Sequence, residues 1–138
     1  YYDLYKYSKA TMQIVATLSG LTGGVYMDDD ADYIYVGYQK QLQKISKSSF
    51  SVVSSTTFTF NIYGNYNQIW VTDDGYHIGI MSNIATYGSI RRYDKVTHEL
   101  LIDTIDQEVY MQTSTVVLFF TSTHMYVGFG TDVYKFTK

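Results

Sequence analysis

A seven-residue segment recurs four times along the chain, and this repeat constrains the fold more than any other feature. The copies occupy residues 3–9, 41–47, 89–95 and 132–138, about 43 residues apart. They share an apolar residue, any residue, a basic residue, an apolar or aromatic residue, Ser, Thr or Asp, and then Lys. A unit of this length cannot bury its apolar side chains alone, so neighbouring units are expected to stack.

Further short strands recur in phase with this segment. A strand ending in glycine precedes each later copy, at Gly37, Gly79 and Gly128, and a more apolar strand precedes each of these. Another strand follows each of the first three copies. Each repeat is therefore predicted to hold four short strands, here lettered a to d, in which the seven-residue segment is strand c.

The apolar pattern along the chain favours strands over helices throughout. No stretch keeps the i, i+3, i+4, i+7 apolar spacing for three turns, whereas period-two runs such as residues 33–36 and 125–127 are common. Proline is absent, which fits a chain whose backbone N–H groups serve in sheet ladders. We therefore predict an all-β fold.

Four antiparallel strands in about 43 residues match the size of a propeller blade. We predict about three four-stranded propeller-type blades in one repeat domain, residues 1–138. Its predicted parts are strands c and d at 1–19, a blade at 24–56, a blade at 68–105, and strands a, b and c at 115–138. Propellers close with four or more blades, so this model requires further copies or further blades. A β-trefoil or β-prism, built from three pseudo-repeats, is the alternative.

The hairpin of strands b and c supports the blade model by resemblance. Residues 124–136, His-Met-Tyr-Val-Gly-Phe-Gly-Thr-Asp-Val-Tyr-Lys-Phe, resemble a b–c hairpin of the quinoprotein and YVTN type of β-propeller repeat. Residues 34–37 and 42–47 show a similar pattern. The resemblance implies blade architecture. The quinone-binding residues of that family have no identified counterpart here, so no cofactor is predicted on this ground.

The charge of the chain argues against nucleic acid as a partner. Ten Lys and Arg stand against thirteen Asp and Glu, for a net charge of −3. Binding to a phosphate backbone requires a basic stripe, and the densest basic spot, Arg91-Arg92, would point to opposite faces of a strand. No apolar run approaches the roughly 20 residues of a membrane-spanning helix. We expect neither nucleic-acid binding nor a membrane span.

An acidic turn between strands a and b of the first complete repeat is the candidate metal site. Its carboxylates are Asp28, Asp29, Asp30 and Asp32. Ca²⁺ takes several carboxylate oxygens, which makes it the one cofactor considered. The spacing lacks the Gly and Glu of an EF-hand loop. The alternative is that these side chains bond the backbone of their own turn.

No constellation of catalytic residues stands out in the sequence. The three histidines, His77, His98 and His124, fall at separate positions in the repeats, and neither cysteine nor a Gly-x-Ser-x-Gly motif is present. We therefore predict that the protein is not an enzyme. The alternative is a fragment of a propeller lyase, hydrolase or dehydrogenase, although the predicted strands a are too apolar for acid–base chemistry.

The chain contains sixteen tyrosines, and their positions divide them into two groups. Most recur in register and are expected to pack between sheets. Four lie near turns and are the candidate ligand-binding residues: Tyr38, Tyr63, Tyr66 and Tyr87. Exposed aromatic rings of this kind stack on sugars or on the side chains of a protein partner.

These features together predict a non-catalytic structural and binding module. We expect it to recognise a protein or a glycan, and to be a homo-oligomer or part of a longer chain. The hydroxyl-rich and tyrosine-rich surface favours an extracellular, cell-surface or virion location. A subunit that self-assembles into a filament or lattice is the alternative function of the same class.

Overall fold

A computed structural model of the chain describes residues 1–23, 26–38, 40–58, 66–72, 75–81, 88–103, 117–129 and 132–137. Over these residues the chain forms thirteen β-strands and no helix. The prediction of an all-β fold is therefore confirmed.

The strands are short, between four and eight residues each. In chain order they are β1 Tyr2–Tyr7, β2 Ile14–Leu21, β3 Tyr26–Asp29, β4 Tyr33–Tyr38, β5 Gln41–Ser46, β6 Ser51–Thr57, β7 Tyr66–Thr72, β8 Gly75–Met81, β9 Gly88–Tyr93, β10 Leu100–Asp103, β11 Val117–Phe120, β12 His124–Phe129 and β13 Asp132–Thr137. Lengths of this kind are typical of strands joined by tight hairpins.

The strands form four antiparallel sheets, ordered β1-β2, β3-β4-β5-β6, β10-β9-β8-β7 and β11-β12-β13. Neighbours in each sheet are also neighbours in sequence, so each sheet is a meander. In the lettering of the repeat, β1 and β2 are strands c and d, the two four-stranded sheets are strands a to d, and β11 to β13 are strands a to c. None of these described sheets closes on itself, and closure into a propeller, trefoil or prism stays a prediction.

The chain divides into two compact units. The first contains strands β1 to β6 and residues 66–71 of β7, and the second contains Thr72 and strands β8 to β13. The single repeat domain over residues 1–138 stays a prediction.

The described b–c hairpins share one register. In each of them the glycine of strand b lies opposite the first apolar residue of strand c: Gly37 opposite Leu42, Gly79 opposite Ile90, and Gly128 opposite Val133. Residues opposite each other in an antiparallel ladder project to the same face of the sheet. Leu42 and Val133 therefore lie at equivalent positions of the repeat, each on the same face of its sheet as the glycine it opposes.

The turns from strand c to strand d are also alike. In three of them the fifth residue has a positive φ: Met12 at 56°, Phe50 at 50° and His98 at 60°. Each turn begins with a side-chain oxygen that accepts a backbone N–H three residues later: Ser8 from Thr11 at 3.3 Å, Ser46 from Ser49 at 3.3 Å, and Asp94 from Thr97 at 2.7 Å. The sequence repeat is thus a repeat of local geometry.

The core of the first unit lies between the sheet β1-β2 and the sheet of β3 to β6. Leu21, Val36 and Ile45 are buried there, and Leu4, Leu18 and Ile34 pack against them. The buried Gln43 accepts hydrogen bonds from the N–H and the hydroxyl of Thr22, at 3.1 and 3.2 Å. A polar group in the core thus has partners that satisfy its carbonyl oxygen.

Candidate functional site

The acidic turn between β3 and β4 is held by hydrogen bonds to protein groups. Asp30 is its centre: Oδ1 accepts the N–H groups of Asp32 and Tyr33, at 3.1 and 2.9 Å. Its Oδ2 accepts the hydroxyl of Tyr35 at 2.8 Å. The Lys47 ammonium donates a hydrogen bond to the Asp30 carbonyl oxygen. The carboxylate therefore bonds its own turn backbone, as the alternative to metal binding predicted.

The neighbouring carboxylates also have protein partners. Asp28 Oδ2 accepts the N–H of Val71 at 2.7 Å, and Asp29 Oδ2 forms an ion pair with Lys47 at 2.5 Å. Asp32 is exposed. Across the described part of the chain, no three His, Asp or Glu side chains are gathered to hold a metal ion. Calcium binding at Asp28, Asp29, Asp30 and Asp32 thus receives no support from this geometry.

The tyrosines predicted to bind ligand are described unequally. Tyr38 is half-buried, with its ring centroid 6.3 Å from that of Tyr2. The Tyr38 side chain also lies against Gly23, where an added Cβ would clash with the ring. Tyr38 thus packs on neighbouring residues, and ligand binding at this side chain stays a prediction. Tyr63, Tyr87 and the Tyr66 side chain lie outside the described residues.

A cleft of about 580 Å³ lies beside β1 in the first unit. Its walls come from β1, β3, β4 and the turn between β5 and β6, and its apolar side chains are Leu4, Met27, Ile34 and Phe50. None of these four residues was a predicted site residue. This volume suits small ligands or a few amino-acid side chains.

The cleft exists because the two facing sheets differ in width. The sheet β1-β2 has two strands, whereas the sheet it packs on has four. Ile45 on β5 is fully buried beneath the narrow sheet, but Met27 on β3 is 60% exposed. The cleft is therefore the space that further strands beside β1 would fill.

The edge of β1 facing the cleft is open in the described structure, since β1 pairs with β2 alone. An open edge presents a row of backbone N–H and C=O groups that are ready to pair with another strand. The order of strands in the repeat could have predicted this open edge. In that order β1 is a strand c, and no described strand b lies beside it. The phase of the strands was predicted, but the cleft was not.

Charged groups surround the apolar floor of the cleft. Lys47 and Asp29 pair at one side, and the Lys6 ammonium lies 5.8 Å from the centre of the Phe50 ring. The carboxylate of Asp3 accepts the Tyr5 hydroxyl at 3.3 Å and raises the pKa of Tyr5. Tyr5 therefore remains a neutral phenol near pH 7. The cleft offers apolar contacts, a backbone edge and charges at its border.

The last sheet of the second unit exposes apolar side chains. Phe119 on β11 is 63% exposed and Val133 on β13 is 72% exposed. Phe119 lies 6.2 Å from the ring of Tyr126, and the Lys135 ammonium lies 5.8 Å from the same ring. Met125 and Val127, which lie between these positions on β12, are buried. One face of this sheet is therefore packed and the other is open.

Comparisons with known proteins assign the chain to no family. No protein-family model matches it, and no curated protein matches it either. The described residues include no helix that is long and apolar enough to span a membrane. The geometry of the cleft and of the open sheets therefore carries the functional proposal.

Proposed function

We propose that this protein is a non-catalytic structural and binding module, which binds another polypeptide by adding a β-strand of that polypeptide to the open edge of β1. The observation that carries the proposal is the cleft beside β1, with Met27 exposed on its floor. Strand addition uses backbone hydrogen bonds for affinity and side-chain pockets for specificity. The edge of β1 and the apolar floor supply both.

The lining of the cleft favours a β-strand over a sugar as its ligand. A strand added to β1 would lie about 4.8 Å from it, at the spacing found within sheets. Its side chains would then contact Met27 and Ile34, which already line the cleft. Polar groups there are largely engaged with one another, as in the pair of Lys47 and Asp29. A protein ligand therefore uses more of this surface than a glycan does.

The location proposed from the sequence belongs with this function. A binding module with many exposed tyrosines, among them Tyr1, Tyr2, Tyr5 and Tyr7, is suited to an extracellular, cell-surface or virion setting. Assembly with further copies or further blades would cover such a surface. We propose no catalytic role for the cleft.

A peptide with the sequence of residues 122–129 tests the function, because β12 is a strand b and strand b is the natural neighbour of a strand c such as β1. We expect a labelled peptide to bind the protein with a Kd in the micromolar range by fluorescence anisotropy. Met27→Lys should weaken binding at least tenfold, since a charge would replace the apolar floor.

Met12→Lys is the matched control, because Met12 is 74% exposed and lies in the β1–β2 turn, away from the cleft lining. It should leave binding unchanged. Equal affinities of wild type and Met27→Lys would contradict the proposal, as would no binding at millimolar peptide. Binding of the wild type to a glycan array, lost in Met27→Lys, would assign the cleft to a glycan instead.

A further inference from the structure

Strands β1 and β13 have nearly the same sequence. Residues 3–9 read Asp-Leu-Tyr-Lys-Tyr-Ser-Lys, and residues 132–138 read Asp-Val-Tyr-Lys-Phe-Thr-Lys. Four of the seven positions are identical, and each of the others differs by a single methylene, methyl or hydroxyl group. Because β12 pairs with β13, it pairs with a sequence that β1 reproduces.

A lysine opposes a tyrosine in two of the three described b–c hairpins, whereas in the hairpin of β8 and β9 the equivalent pair is Arg92 and His77. In the hairpin of β4 and β5, Lys44 opposes Tyr35, and its ammonium lies 5.8 Å from the Tyr35 ring centre and 3.9 Å from that of Tyr33 on the same strand. In the hairpin of β12 and β13, Lys135 opposes Tyr126 at the same 5.8 Å. Lys6 is the equivalent residue of β1, and among the described strands β1 pairs with β2 and with no strand b. The edge of β1 therefore offers the side chain that a strand b contacts.

We infer that β1 of one copy of this chain pairs with β12 of a second copy, in the place that β13 takes within the single chain. Strands β11 and β12 of one copy and β1 and β2 of the other then form one four-stranded sheet. The register follows that of β13, with Leu4 opposite Gly128 and Lys6 opposite Tyr126. This inference rests on the proposed function and names a second copy as the partner.

The exposed side chains of the two copies complement each other in this arrangement. Tyr126 would lie on the same side as Lys6, the side of β1 that faces the cleft. Phe119 lies opposite Tyr126 on β11, so it would come to lie above Met27. Phe119 is 63% and Met27 60% exposed in the single chain, so neither is covered by its own chain. Pairing of two copies buries both.

The exchange costs few hydrogen bonds. Strand β12 loses its ladder with β13 but gains an equivalent ladder with β1 of the other copy. Tyr5 and Tyr7 would take the positions of Tyr134 and Phe136, which are side chains of similar size and chemistry. The gain is the apolar surface of the cleft and of the open face of β11 and β12. Reciprocal exchange between two copies gives a closed dimer, and one-way exchange gives an open chain of copies.

Disulfide capture tests the register directly, because the chain contains no cysteine of its own. Lys6→Cys in one preparation and Tyr126→Cys in a second, tagged preparation are mixed under mild oxidation and separated on a non-reducing gel. Opposing residues of an antiparallel pair have Cα atoms about 4.5–5.5 Å apart, which a disulfide spans. We expect a mixed dimer at least five times more abundant than with the control.

The control mixture replaces Lys6→Cys with Val96→Cys, since Val96 is 85% exposed and lies outside β1. A mixed dimer no more abundant than in this control would overturn the inference. The inference would also be overturned if the double variant, Lys6→Cys with Tyr126→Cys, formed its disulfide within one chain and not between two chains. Far-UV circular dichroism and melting curves confirm that each variant is folded. If the peptide of residues 122–129 binds but copies do not cross-link, the inference fails and the proposed function stands.

Discussion

At the residue scale, the turns from strand c to strand d hold three unlike residues in the same backbone conformation. Met12, Phe50 and His98 all have positive φ, although none of them is glycine or asparagine. For residues with a Cβ this left-handed conformation costs roughly 1–2 kcal/mol. The ladder of strands c and d and the hydrogen bonds of each turn hold the backbone there. None of these three positions is a glycine, so nothing in the sequence indicated the positive φ.

Met12→Gly should stabilise the protein. Met12 is largely exposed, so its side chain contributes little packing, and glycine adopts positive φ without strain. Because glycine also raises the entropy of the unfolded chain, we expect a net gain of about 0.5–1 kcal/mol in the free energy of unfolding. Urea denaturation measures it. Val96→Gly, in an equivalent turn but without positive φ, should be neutral or destabilising; equal effects would contradict this account.

Asp94 makes the β9–β10 turn sensitive to acid. The backbone N–H groups of Thr97 and Val96 both donate to Asp94 Oδ1 at 2.7 Å and hold the pKa of this carboxyl below its ordinary value. A group whose pKa is lowered by folding stabilises the fold above its unfolded pKa. That stabilisation is lost as pH falls through the folded pKa.

An NMR titration of the Asp94 carboxyl carbon measures this pKa in the folded protein and again in urea. We expect the folded value to be the lower one, and Asp94→Asn to remove this part of the acid dependence of turn stability. A folded pKa equal to or above the value in urea would contradict the assignment.

At the element scale, the β3–β4 hairpin is organised by Asp30 and Tyr35. Tyr35 is buried on β4, and its hydroxyl reaches back to Asp30 Oδ2. The acidic residues of this turn therefore connect parts of the fold through hydrogen bonds, and calcium binding there stays a prediction. Sequence reasoning proposed both outcomes, since a run of carboxylates is compatible with either. The choice depends on partners such as the N–H of Val71, which lies far along the chain.

Tyr35→Phe should destabilise the protein by about 1 kcal/mol, because it removes one hydrogen bond to the Asp30 carboxylate at a buried position. Thermal and urea denaturation measure the loss. Tyr33→Phe, on the same strand and half-buried, is the control and should change stability by less than about 0.5 kcal/mol. A larger effect at Tyr33 than at Tyr35 would contradict this view of the hairpin.

At the scale of the whole molecule, the proposed pairing of β1 with β12 of a second copy predicts that stability depends on assembly. A partner that binds the folded chain alone raises its stability with concentration. We therefore expect the melting temperature to rise with protein concentration in the wild type, measured from about 1 to 100 μM. Met27→Lys should remove this dependence and Met12→Lys should retain it. A melting temperature independent of concentration in the wild type would count against self-assembly.

The positions of the strands along the chain could be predicted, because the sequence patterns that specify them are local. Period-two apolar runs, the glycines at 37, 79 and 128, and the polar turns between them specify hairpins over a few residues. The cleft was less predictable. Met27 looks like any apolar strand residue in the sequence, and its exposure depends on how far the sheet β1-β2 extends over β3 and β4.

The sequence by itself determined an all-β chain of short strands, their order and their repeat, because each hairpin depends on neighbouring residues. The tertiary structure decided which of these strands were left with an open edge and which apolar side chains stayed uncovered. It also decided that Asp28 and Asp30 would bond protein groups. Those outcomes depend on the packing of one sheet on another, through contacts between residues far apart in the chain, and no local pattern encodes them.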